Sequence, residues 1–144
     1  MPASEPSRQS NQRKSVEELI TEAHVEVLNA ELAERGITLE VCPTSNVRTG
    51  VVPSLEAHPL PDLLRAGVPV TLGSDDPTYF DTDLVREMQA VHERLGLDLD
   101  TLDAIVDSGA RAAFLPPAEC AALAASLGKE RTELRRSLGL ARAG

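Results

Sequence analysis

The sequence predicts an α/β fold in the form of a slice from a larger parallel sheet, and three observations carry that prediction. Residues 37–42 (Ile-Thr-Leu-Glu-Val-Cys) and 68–72 (Val-Pro-Val-Thr-Leu) are short aliphatic runs bounded by turn residues, the signature of strands. Helical patterns precede, separate and follow them, and the order helix, strand, helix, strand, helix is that of parallel units joined by crossovers. Only two strands are evident, yet both are apolar enough to require neighbours on either edge, because parallel sheets are normally covered and extended.

The elements follow in order. Residues 1–14 carry Pro, Ser, Gln, Asn and charges with almost no apolar side chains, so a disordered tail is expected there and a domain over residues 15–144. Ser15 stands three residues before Glu18 in capping-box spacing, and Val16, Leu19, Ile20, Ala23, Val27, Leu28 and Leu32 then repeat at helical intervals up to Gly36. One amphipathic helix is expected, followed by the first strand, Pro43 and a polar turn over Thr44, Ser45 and Asn46. A short helix over residues 60–66 stops at Gly67, and the second strand runs into Gly73-Ser74-Asp75-Asp76-Pro77. Leu84, Met88, Val91 and Leu95 mark a third helix ending at Gly96. A fourth is expected over about residues 100–114, before Pro116-Pro117, and a last one over residues 118–138 with a break at Gly128.

Composition excludes several functions. The formal charge of −9 without a basic cluster disfavours nucleic acid, whose phosphates such a surface repels. No apolar run reaches the roughly 18 residues that a membrane span needs, and residues 1–14 lack the apolar core of a signal peptide, so neither a membrane partner nor export is expected and the cytoplasm is the expected compartment. Cys42 and Cys120 lie far apart and read as reduced, buried thiols. With 2% aromatic residues and no Trp, the core must be Leu, Val, Ile and Ala.

Two places qualify for chemistry, the segments that follow the strands. Adjacent carboxylates repel unless a cation or donor relieves them, so Asp75-Asp76 suggests a metal or a polar ligand; an Asp-Asp-Pro turn in which one carboxylate caps the next element is the plainer alternative. Ser45 and Asn46 stand either as shaping residues or as turn caps. His58, before Pro59, reads as a helix-start residue, and His92 as a solvated helical side chain.

Glu40-Val41-Cys42-Pro43-Thr44-Ser45-Asn46, His58-Pro59, the run from Gly67 to Pro77, Phe80 and Thr82-Asp83-Leu84, in that order and spacing, resemble the last third of the adenosine deaminase family. Ala112-Ala113-Phe114-Leu115 is similar to the closing helices of that family. The resemblance covers about residues 30–123. It implies a partial (β/α)8 TIM barrel, of which these are the last two strands with their surrounding helices. It implies Asp75 as the catalytic aspartate and zinc (Zn2+) ligand, Asp76 as the carboxylate that binds the purine ring, and hydrolytic deamination of adenosine or a related purine nucleoside or base.

The departures are equally informative. The family's H-x-H pair and its H-x-x-E segment are missing, and only His24, His58 and His92 exist. A catalytic zinc takes about three protein ligands, so the chain is expected to be incomplete as an enzyme. His24 resembles only distantly the segment around a third family histidine and reads as part of an ordinary helix. The alternatives are a truncated or degenerate copy whose missing strands come from another chain or from upstream sequence, and a non-catalytic fragment acting by association. Exposed strand edges invite self-association. With Thr71, Gly73 and Asp75 deprived of the other strands, a marginal or molten fold is expected.

Overall fold

A computed structural model describes residues 15–140. The expected tail over residues 1–14, and residues 141–144 of the expected domain, lie outside the described residues. Helix α1 (Val16–Glu34) begins as anticipated: the Glu18 amide donates to Ser15 Oγ at 3.2 Å while the Ser15 amide donates to Glu18 Oε2 at 2.7 Å. Gly36, at φ 62°, turns the chain out of it. The expected amphipathic burial does not follow. Ile20, Val27 and Leu28 are 51%, 70% and 57% exposed, because the apolar side chains wind round the helix instead of lining one stripe. A groove lined by Val25, Asn29, Asp62 and Arg65 separates α1 from helix α3 (Leu60–Arg65).

Strands β1 (Leu39–Val41) and β2 (Val70–Leu72) pair in parallel, Leu39 with Val70, Glu40 with Thr71 and Val41 with Leu72. Both are shorter than expected. Pro69 has no amide to donate, so the ladder opens only with its carbonyl accepting from Leu39 N at 2.9 Å. At the other end the chain enters helix α2 (Pro43–Arg48) directly from Cys42. The polar turn expected over residues 44–46 is thus helical, Pro43 supplying the φ that a first helical turn needs.

After β2, Asp76 caps the single turn α4 (Pro77–Phe80), and Asp83 caps α5 (Leu84–Leu95), whose end at Gly96 has φ 71°. Asp98 caps α6 (Leu99–Ala112) by accepting from Thr101 N at 2.8 Å. Helix α7 (Pro117–Ser137) runs through Gly128 without the expected break. One glycine costs a helix only about 1 kcal/mol against alanine, and α7 is anchored to α6 just beyond it. Arg135 lies 2.6 Å from Asp100 and 2.9 Å from Asp103, with Arg131 3.4 Å from Asp103.

The core lies on one side of the sheet. Val41, Val70 and Leu72 meet Leu60 of α3, Val91 of α5, Ile105 of α6 and Leu97. Thr71, Gly73 and Asp75, expected to lack partners from the other strands, make contacts within the chain. A Cβ on Gly109 of α6 would stand 2.6 Å from Thr71 Oγ1, so glycine is what lets α6 approach β2. At Gly73 an added Cβ would meet Glu40 Oε1 at 2.5 Å and Cys42 Sγ at 3.1 Å, so those two side chains lean over its backbone.

Candidate functional site

Because β1 and β2 are parallel, their C-terminal ends fall at one rim, and the segments after them meet there. Helix α2 starts one residue beyond β1. Its three consecutive residues Thr44, Ser45 and Asn46 each reach a different part of the chain.

Ser45 is buried and donates its hydroxyl hydrogen to Asp75 Oδ2 at 2.7 Å. Asp75 itself is exposed and sits at φ 57°, in the left-handed region that Asp tolerates better than most residues. A strained backbone at a strand terminus, held by a hydrogen bond from a buried hydroxyl, is the kind of outlier that collects at functional sites. Asp76 is placed differently: its Oδ1 accepts from Tyr79 N at 2.9 Å, the N-cap of α4. The capping alternative for the Asp-Asp-Pro turn thus describes Asp76, while Asp75 is the carboxylate presented at the rim.

Asn46 Oδ1 is 3.0 Å from Nε2 of His58, and Nδ1 of His58 accepts from Leu60 N at 3.0 Å. The two contacts fix the ring state. Nδ1 can accept only if it carries no proton, so Nε2 carries it and donates to Asn46. His58 is buried, burial lowers its pKa below the ordinary imidazole value of 6.5, and it caps the start of α3 as expected for a helix-start residue. The unfolded chain therefore binds this proton more readily than the folded one between the depressed value and 6.5. The corresponding stability is present above pH 6.5 and is lost as pH falls through the folded value. His58→Asn, which keeps an acceptor two residues before Leu60 N but does not titrate, is expected to flatten the fall of the thermal midpoint between about pH 7 and pH 5. Parallel curves for the two proteins would remove His58 from the acid response.

Thr44 N donates to Glu87 Oε2 at 3.0 Å, and Thr82 Oγ1 donates to Glu87 Oε1 at 2.6 Å. Glu87 on α5 is fully buried. Sequence reading passed over it although a signal was present, since Glu87 falls at the helical spacing of Leu84, Met88 and Val91, on the face turned to the core.

The remaining candidates lie elsewhere. His24 is exposed on α1, and His92 is exposed on α5 with Nδ1 donating to the Leu97 carbonyl at 2.6 Å. Cys120 is buried as expected, but Cys42 is only half-buried, because it follows β1 at the rim. Burial raises the Cys42 thiol pKa, and a hydrogen bond with the Asp75 backbone partly offsets it. Among the described residues no three His, Cys, Asp or Glu side chains converge as metal ligands. One rim carboxylate falls short of the roughly three protein ligands that a catalytic zinc requires, so these residues do not by themselves fit that ion.

The adenosine deaminase family model matches residues 14–130. An aminodeoxyfutalosine deaminase of Streptomyces coelicolor is 51% identical over 88 residues, 61% of this chain and 23% of that protein. An adenine deaminase of Chelativorans sp. is 48% identical over 96 residues, 67% of this chain and 30% of that protein. Among solved structures, the adenine deaminase of Arthrobacter aurescens superposes with a TM-score of 0.69 at 28% identity over 74% of this chain and 32% of its own. An amidohydrolase of Burkholderia ambifaria with bound Zn gives 0.73 at 22% identity, over 84% of this chain and 34% of its own, which bears on the fold alone. The two parallel strands with their surrounding helices are part of a TIM barrel of this type, and the chain spans about a quarter to a third of these relatives.

Proposed function

The chain belongs to the adenosine deaminase family, and from that premise we propose that it carries the last two barrel strands and the Asp75-Asp76 rim of an enzyme that hydrolyses the amino group from an aminated purine, releasing ammonia. The observation that carries this reading is the Ser45–Asp75 hydrogen bond at the C-terminal rim of the paired strands, where barrel enzymes place their reacting groups. Adenine and aminodeoxyfutalosine deaminases among the relatives favour adenine or aminodeoxyfutalosine over adenosine. Asp75 is the reacting carboxylate, held by Ser45. Asp76, with one oxygen committed to the cap of α4, keeps the other for a purine ring nitrogen. Zinc is the metal that the resemblance to the family implies, and Asp75 would be one ligand. Its histidine ligands would come from strands beyond these residues.

The expected result is no turnover by the chain with added zinc, and ammonia release once a polypeptide bearing the first six strands of the Streptomyces coelicolor relative is supplied. Adenine, adenosine and aminodeoxyfutalosine are the substrates to compare. Turnover by the chain alone would mean that it builds a metal site of its own. A second reading, association without catalysis, is favoured by the exposed apolar side chains of α1 and would be the one left standing if the two polypeptides formed a complex that releases no ammonia.

A further inference from the structure

We propose that Glu87 is a positioning residue for Asp75, acting through the first turn of α2; this rests on the reading of Asp75 as the reacting carboxylate. A fully buried carboxylate is costly unless its oxygens are hydrogen-bonded, and an apolar side chain at the same helical position, one turn before the buried Val91, would join the core without that cost. What the carboxylate supplies, and a hydrocarbon could not, is an acceptor for Thr44 N, 3.0 Å from Oε2. Thr44 immediately precedes Ser45, whose hydroxyl holds Asp75 at 2.7 Å. The second oxygen of Glu87 accepts from Thr82, itself buried, at 2.6 Å, which fixes the rotation of the carboxylate. The chain of contacts runs Thr82, Glu87, Thr44, Ser45, Asp75. It ties the rim of β2 to α5 through α2.

Two alternatives are weaker on the same observations. Asn46 and His58 also anchor α2, but their bond lies one residue beyond Ser45 and leads to α3, away from Asp75. A cavity between α6 and α7, lined by Asp103, Arg131, Thr132 and Arg135, has both arginines ion-paired with Asp100 or Asp103; one nitrogen of each makes no hydrogen bond among the described residues, but nothing there leads to Asp75.

The test uses the full chain and needs no turnover, so it stands apart from the deaminase reading. The backbone amide and side-chain carboxyl resonances of Asp75 are recorded by NMR in the wild type, Ser45→Ala, Glu87→Gln and the double variant. The expected result is that Glu87→Gln shifts the Asp75 signals in the direction of Ser45→Ala and adds nothing in the Ser45→Ala background, because both act on one hydrogen bond. A merely structural Glu87 would lower the melting temperature while leaving Asp75 resonances in place, and that outcome, or additive shifts, would overturn the proposal. Should Glu87→Gln not fold, Thr82→Val frees the carboxylate to rotate and is expected to move the Asp75 signals, with Thr82→Ser restoring them. Unmoved signals in Thr82→Val would equally overturn it.

Discussion

Asp75→Asn, introduced into the complemented assembly, is expected to lower turnover by roughly 100- to 10,000-fold, the range contributed by a positioned proton-transfer group. The choice of asparagine follows from the backbone. At φ 57° every residue with a Cβ is strained by about 1–2 kcal/mol, and alanine lacks the short polar side chain with which Asp and Asn offset that strain, so a loss of activity in Asp75→Ala would mix chemistry with strain. Asparagine tolerates the left-handed region and has an oxygen that can accept from Ser45 Oγ as Asp75 does now at 2.7 Å. What it lacks is the charge and the capacity to take up a proton. Measured as the initial rate of ammonia release from adenine, with the circular dichroism of each variant alongside, the substitution separates the two contributions. Undiminished turnover would place the chemistry outside Asp75.

Much of the fold can be read from the residues because its signals are local. The Ser15–Glu18 box, the helix stops at Gly36 and Gly96, and the aliphatic runs that become β1 and β2 all act within a few positions of themselves. The site is legible only in part, and the division follows sequence separation. Asp75 stands out as a carboxylate at a strand end. The partner that holds it, Ser45, lies 30 positions away, and Glu87 meets Thr44 across 43. No periodicity records such a pairing, and Thr44, Ser45 and Asn46 therefore look like an ordinary polar turn when in fact they form the first turn of α2 and reach three separate parts of the chain. The error over α1 has a different origin. Apolar residues recur at helical intervals in α1, but others wind round the helix between them, so no single face is set apart for burial, and the described residues do not cover them.

That difference between a covered and an uncovered leucine gives the largest expected effect on stability. Leu60 is completely buried, packed with Val41, Val70, Leu72, Val91 and Ile105 where α3, α5 and α6 meet the sheet. Leu60→Ala removes its contacts and leaves a cavity that the rigid strand backbones cannot close, a change that costs about 2–5 kcal/mol. Small domains unfold with only about 5–15 kcal/mol in total, so the variant is expected to lose most of its cooperative thermal transition. Its backbone amide also donates to His58, so the collapse would reach Asn46 and loosen α2 from a second direction. Leu28 is the control. At 57% exposure on α1, Leu28→Ala is expected to change stability by no more than about 0.5 kcal/mol, since alanine also favours the helix. Chemical denaturation of the two variants at several protein concentrations decides the matter. If Leu28→Ala proves as damaging as Leu60→Ala, and more so as concentration rises, then α1 is buried in solution against a second copy, and the association reading gains over the catalytic one.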